Sequence, residues 1–316
     1  MDSDFFHRPV LLHTAVDYLV TDPNGVYVDC NLGGGGHAKE ILKRINANGL
    51  FVGLDADAQA IAFAEDTLSG YSNKIIRRVF SNQLDVVLLQ EGLLPVHGVL
   101  FDLGISSFQV DSPKRGFSFQ EEGPLDMRFD ASQKLTAREV VNEYSPVELG
   151  RILREYGEEK HWKLIVRNIV NERTGAPIEN TAQLAEIVSR AVPAKQLNKT
   201  LARVFQAIRI EVNGELERLK VSLEKAFQCL GKGGRLVVIA YHSLEDRIVK
   251  EFLRYKALDC VCPPDFPQCV CDKVQEVEIL TRRVVRPSIQ EVAANPRSRS
   301  ARLRAAEKIV QYQGIV

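Results

Sequence analysis

Four short apolar runs in the first part of the chain, GVYVD (25–29), LFVGLD (50–55), KIIRRVF (74–80) and GVLFDLG (98–104), alternate with amphipathic stretches. Between the first two, Ala38, Ile41, Leu42 and Ile45 recur at the spacing of one helix face. Strand–helix–strand alternation of this kind predicts a parallel α/β sheet with right-handed crossovers. From 137 to 210 the pattern changes. Stretches such as LGRILREYGEEKHWKLIVRNIV (149–170) read as helices of mixed charge, with no strand among them. Leu216, Leu219, Leu223, Phe227 and Leu230 then mark another amphipathic helix, closed by GKGG (231–234). The β-rich RLVVIAY (235–241) and the helical SLEDRIVKEFLRY (243–255) restore the α/β pattern. The expected fold is a doubly wound, Rossmann-like α/β sheet with an inserted all-helical domain. The sheet domain comprises 1–112 and 210–316, and the insertion 113–209.

Bulk composition adds little to this picture. The chain has 316 residues, 41 basic and 41 acidic side chains and 45% apolar content, ordinary for a globular protein whose core needs no staples. No apolar run approaches the roughly 20 residues of a membrane span. The opening MDSDFFHRPVLLH (1–13) is acidic and lacks a long apolar run, so no secretory signal or membrane partner is expected, and a cytoplasmic location is. Zero net charge gives no overall pointer to nucleic acid, but its distribution does. Residues 281–308 carry eight Arg/Lys against two Glu, and residues 195–209 carry four basic residues and no acid. Both are solvated faces on the plain reading and RNA-phosphate grips on the functional one, since phosphate neutralisation needs local charge.

Candidate chemistry begins at YVDCNLGGGGHAKEIL (27–42). Gly33, Gly35 and Ala38 fit G-x-G-x-x-(G/A) between a strand and a helix, and Asp55 ends the next strand about 20 residues on. Glycines let a ligand approach the backbone, the helix start offers unpaired N–H groups, and the carboxylate takes ribose hydroxyls. A nicotinamide dinucleotide and S-adenosylmethionine both suit that description. FDLGISSFQ (101–109), at the carboxyl end of the fourth strand, separates them. Enzymes that methylate an exocyclic amine need an N–H acceptor there, because the amine lone pair is conjugated into the ring and must be turned towards the methyl group. Asp102 is the candidate acceptor; the plainer alternative is a capping or ribose-binding carboxylate.

Several longer strings then carry a resemblance. HRPVLL (7–12), DCNLGGGGHA (29–38), GLDAD (53–57), LFDLGISSFQVD (100–111), RGFSFQEEGPLDMRFD (115–130), YGEE (156–159), FQAIRIEVNGEL (205–216), YHSLEDRIVK (241–250) and NPRSRSARLRAAEK (295–308) occur in this order. Together they resemble the bacterial 16S ribosomal RNA cytosine-N4 methyltransferase family nearly end to end. The resemblance implies a class I methyltransferase fold, S-adenosylmethionine as donor, and methylation of N4 of a cytidine in the decoding region of small-subunit rRNA. It assigns cofactor contacts to Gly35, Gly36, His37, Asp55, Phe80, Asp102 and Gln109. The implied partner is the 16S rRNA or small ribosomal subunit, not DNA, and the target base is expected to be reached through a cleft between core and insertion. The chain departs from the family pattern at Cys30-Asn31, at Gly34 and over NKTLARVFQ (198–206). The rivals are a non-catalytic rRNA-binding or assembly protein with a vestigial cofactor site, and a nicotinamide-dependent oxidoreductase.

Other residues have two readings. Arg115, Phe117, Phe119, Asp126 and Arg128 suit phosphate contact and stacking on an extruded base, or else a packed loop with an Asp126–Arg128 ion pair. His242, just past the fifth strand, is a base-contacting or proton-accepting candidate, or a structural histidine. Cys260, Cys262, Cys269 and Cys271 offer four thiolates to a structural zinc, or form a reduced loop, disulfides being disfavoured in a reducing cytoplasm.

Overall fold

The computed structural model describes residues 9–105, 109, 112–263 and 268–314. His7 and Arg8, residues 106–108 and 110–111, and residues 264–267 of the cysteine loop therefore lie outside the described residues. The chain forms two compact units, 1–104 with 216–316, and 105–215. The sequence reading set these boundaries at 112/113 and 209/210. The latter falls inside a helix that runs unbroken from Ala194 to Asn213 and stops at Gly214, where φ is 58°.

The first unit is a seven-stranded sheet of β1 (Val26–Asp29), β2 (Leu50–Asp55), β3 (Lys74–Arg78), β4 (Val96–Asp102), β5 (Leu230–Ala240), β6 (Val277–Ile279) and β7 (Arg302–Lys308). Their order is β3-β2-β1-β4-β5-β7-β6. β7 runs antiparallel to both β5 and β6, and the other pairings are parallel. Helices α1 (Leu12–Leu19), α2 (Gly36–Arg44) and α3 (Ala58–Thr67) bring Val16, Leu19, Ile41, Ala64 and Leu68 to one core. Helices α4 (Leu84–Gln90), α10 (Glu215–Cys229) and α11 (Ser243–Lys256) bring Leu88, Leu223, Phe227 and Leu253 to the other. Strand residues alternate between the two cores: Tyr27, Phe51, Leu100 and Val237 join the first, and Val28, Val52, Phe101 and Val238 the second. A sheet covered on both faces needs apolar residues at consecutive positions, which is why its inner strands were conspicuous in sequence.

Strands β6 and β7 were not conspicuous, and they correct part of the reading of the basic tail. RLRAAEK is β7: Leu303 and Ala305 are buried, while Arg302 and Arg304 pair with Asp246 of α11 at 3.1 and 2.7 Å. Lys308 is buried, and its ammonium donates to the carbonyls of Phe227 (2.9 Å) and Leu230 (2.7 Å). These three cations hold the sheet together. Arg282, Arg283, Arg286, Arg297 and Arg299 are exposed.

The second unit packs α5 (Ala137–Glu143), α6 (Pro146–Glu155), α7 (Trp162–Arg173), α8 (Thr181–Ser189) and α9 (Ala194–Asn213) around a core that includes Val141, Leu149, Ile165, Leu184, Val204 and Ile208. Three of these helices start at reciprocal capping boxes, Thr136 with Glu139, Ser145 with Glu148 and Asn180 with Gln183, which satisfy first-turn N–H groups locally.

Candidate active site

The strand order reverses between β1 and β4, and open α/β sheets bind ligands outside the carboxyl ends of the strands at such a point. Three carboxylates gather there, because β1, β2 and β4 end in Asp29, Asp55 and Asp102. The glycine turn leads from β1 into α2 beside them. Gly33 (φ 51°) and Gly35 (φ 80°) adopt left-handed backbone that residues with a Cβ rarely accept. Gly35 is the N-cap of α2 and supplies no side chain, so no side-chain group caps the first turn. A Cβ on Gly36 would lie 2.8 Å from Pro9 Cγ, which shows how closely the turn is packed.

Asp55 accepts hydrogen bonds from the backbone N–H groups of Gly33 (2.8 Å) and Asp57 (2.9 Å), so β2 and the glycine turn are tied through the side chain expected to take a ribose. Burial pushes its carboxyl up to about 6, against the lowering effect of those N–H groups. Asp29 is 1% exposed and accepts from Asn31 N–H at 3.1 Å. Burial pushes it up to about 8, and the charges of Asp102 and Asp55 add to the shift. Carboxylates gathered in this way favour a ligand that brings positive charge.

Two side chains from distant segments meet Asp102. Tyr241 Oη donates to Asp102 Oδ1 at 2.8 Å, and His37 Nδ1 lies 3.4 Å from Oδ2. Asp102 pairs with Ile239 across β4 and β5, which brings Tyr241, two residues on, to the same strand ends. The Tyr241 hydroxyl is held above its ordinary value by burial and by the Asp102 charge, and so stays a donor. Burial lowers His37 to about 4, leaving its ring neutral at pH 7. Its Nε2 lies 3.1 Å from the carbonyl oxygen of Val10, a pure acceptor. The network therefore assigns the proton to Nε2, and the Nδ1 lone pair faces Asp102.

Phe80 follows β3, and the guanidinium of Arg218 lies over its ring at 3.5 Å from the centroid. Gln109 is buried and belongs to the second unit. So do the RGFSFQEEGPLDMRFD residues, and there they are built into one another. Arg128 grips Asp126 with two donors (2.9 and 2.7 Å) and also donates to the carbonyls of Ala131 and Gln133. Arg115 donates to the carbonyls of Arg128 and Phe129. Phe117 stacks on Phe129 and Phe119 meets Phe205 edge-on. His242 caps α11: its Nδ1 accepts from Glu245 N–H at 3.4 Å, and Glu245 accepts from the N–H groups of Tyr241 and His242. Sequence reasoning passed over Asp29, Tyr241 and Arg218. The first two stand at strand ends beside flagged residues, a signal already in the sequence; Arg218 is on a helix far from Phe80 in the chain and gave none.

In the basic stretch 195–209, Lys195, Lys199 and Arg203 are exposed, whereas Arg209 is buried and forms a forked pair with Glu215 at 2.8 and 2.9 Å. Cys30 and Cys229 are buried in the sheet core. Among the described residues no helix is long and apolar enough to cross a membrane.

A parallel sheet with one antiparallel strand near its edge, and a glycine turn with strand-end carboxylates at its switch point, make up the class I methyltransferase fold. The chain matches the model of the MraW methylase family over residues 4–309, and it belongs to that family. It is 50% identical over 305 residues to a protein of Caldicellulosiruptor saccharolyticus, covering 96% of this chain and 99% of that one. It is 49% identical over 310 residues to a protein of Carboxydothermus hydrogenoformans, covering 97% and 99%, and 47% identical over 307 residues to one of Caldicellulosiruptor bescii, covering 96% and 100%. Each of these relatives is named ribosomal RNA small subunit methyltransferase H.

Proposed function

We propose that this protein transfers a methyl group from S-adenosylmethionine to the N4 exocyclic amine of a cytidine in the decoding region of 16S rRNA. Membership of the methylase family and the names of the relatives support the reaction class and the rRNA substrate. The observation that carries the finer reading is the triad of Asp102, Tyr241 and His37 at the end of β4.

The donor fits the residues present. Asp55 closes β2 where a ribose binds, and the left-handed glycines leave the start of α2 open to a ligand. The acids Asp55 and Asp102 complement a sulfonium and an α-ammonium. When bound, the donor supplies an electrophilic methyl group, and no metal ion is required for its transfer.

The chain's own residues orient the acceptor. The Tyr241 hydroxyl holds Asp102 Oδ1 in place, and Asp102 Oδ2 and His37 Nδ1 face each other as two acceptors. An amine N–H donated to the Asp102 carboxylate turns the nitrogen lone pair towards the methyl group and fixes the line of attack. Arg115, Phe117 and Phe119 of the second unit are assigned to the substrate side of this proposal, and so are the exposed arginines of 282–299, while the Asp126–Arg128 pair holds its loop. Gly35, Gly36, His37, Phe80 and Gln109 are assigned to the donor.

Labelled S-adenosylmethionine incubated with small ribosomal subunits that lack the modification tests the reading, with nucleoside analysis of the product and Asp102→Ala in parallel. N4-methylcytidine from the wild type and none from the variant is the expected result. Donor binding without transfer to subunits or free rRNA would sink the substrate assignment.

A further inference from the structure

Away from the switch point, four sulfurs converge where apolar burial cannot account for it. Residues 260–262 and 269–271 are the same tripeptide, Cys-Val-Cys, in the connection between α11 and β6. All four cysteines are free thiols. Sγ of Cys260 lies 3.5 Å from that of Cys269 and 3.7 Å from that of Cys271, and Cys269 is 3.6 Å from Cys271 and 3.9 Å from Cys262. Every pair in the group lies within 4.8 Å. A tetrahedral ion with metal–sulfur bonds of about 2.3 Å places its sulfurs about 3.8 Å apart.

The two tripeptides also answer each other through the backbone. Val261 N–H donates to Cys271 Sγ, and Val270 N–H donates to Cys262 Sγ, both at 3.4 Å. Cys262 N–H donates to Cys260 Sγ at 3.4 Å. Such bonds stabilise sulfur in its thiolate form, the form that binds metal. Among the described residues, no apolar packing draws the sulfurs together. The central valines, Val261 and Val270, are 47% and 72% exposed, and Cys269 is exposed as well. Hydrophobic collapse of this loop would have turned the valines in, and S–H groups are weak donors.

We propose that Cys260, Cys262, Cys269 and Cys271 bind one zinc ion in a closed tetrahedral tetrathiolate site that orders the connection leading into β6, the edge strand of the sheet. Four thiolates in a tetrahedron select zinc or iron among the common metals, and a set with all four positions filled by protein leaves none for substrate, which makes the site structural. The base of the connection is tied by Glu276 N–H donating to the Lys256 carbonyl at 2.8 Å. The ion fastens its far end, removing loop entropy where no core is available to do so.

The test uses the full-length protein, purified without chelator from zinc-supplemented cells. Elemental analysis is expected to give about one zinc per chain, and Cys269→Ser, a change at an exposed position, to lose it while the sheet domain still folds. Cobalt(II) replacing the metal is expected to give the visible spectrum of a tetrahedral tetrathiolate. Amide exchange over residues 257–276 is expected to speed up on chelation while β1 to β5 stay protected. Well under one zinc per chain, with all four thiols reacting at once with a thiol reagent, would overturn the proposal. Bound iron, or disulfides among the four cysteines, would overturn the zinc assignment equally.

Discussion

The strand-end carboxylates of the sheet unit and the arginine-paired carboxylates of the helical unit are handled in opposite ways. In the sheet unit, Asp29, Asp55 and Asp102 stand close together at strand ends, against backbone N–H groups, a tyrosine and a histidine, and burial raises Asp29 and Asp55. In the helical unit the acids sit in arginine forks: Asp126 with Arg128, Glu179 with Arg138, Glu211 with Arg151 and Glu215 with Arg209. Burial works against Asp126, but Arg128 outweighs it and holds that carboxyl below its ordinary value. Acids left with raised proton affinity are poised for a cationic ligand, whereas acids locked in forks hold the fold. A list of Asp and Arg residues cannot separate the two cases.

The sharpest way to break this contrast is to neutralise one acid of each kind. Asp102→Asn is expected to lower methyl transfer by about a hundred- to ten-thousand-fold, with donor binding, measured by calorimetry, weakened far less. Asp126→Asn is expected to act through stability, by about 1–2 kcal/mol in denaturant unfolding, with the rate per folded molecule preserved. If Asp126→Asn abolished transfer in a fully folded protein, the division drawn above would fail.

Acidity probes the same contrast more gently. Asp55 is raised to about 6, and it must be ionised to accept ribose hydroxyls. With Asp55 in the proposed ribose role, donor affinity is expected to be nearly complete above about pH 7 and lost as pH falls through about 6, by about tenfold between pH 7 and pH 5. The Asp29 carboxyl, raised to about 8, has the opposite consequence for folding. A protonated acid there contributes stability that declines as pH rises from the ordinary carboxyl range through about 8. Urea midpoints of wild type and Asp29→Asn across that range would show the variant losing less.

The smallest expected effect separates the exposed from the internal arginines of the basic tail. Arg283→Ala should flatten the salt dependence of rRNA binding by about 0.7 to 0.9 in log–log slope. Arg304→Ala removes a partner of Asp246 and should show first as lost thermal stability.

Much of the sheet domain was legible along the chain. Its inner strands are apolar at consecutive positions, and the glycine turn sits between a strand and a helix whose face repeats at the helical period. β7 was hidden because Arg302, Arg304 and Lys308 make RLRAAEK look like surface, and only ion pairs and carbonyl contacts made over long sequence separations show otherwise. His242 looked chemical because it stands one residue beyond a strand end; its contacts are those of a helix cap.

Local order of the inner sheet was thus settled by the chain itself: which segments form β1 to β5 and where α2 begins, through interactions between near neighbours in sequence. The tertiary structure decided which polar groups meet. Tyr241 reaches Asp102 across 139 residues, and His37 meets Asp102 from helix α2. Periodicity reports which face of an element is buried, but the partner of a buried polar group comes from elsewhere in the chain. Its proton affinity, and hence its use, follows from that partner.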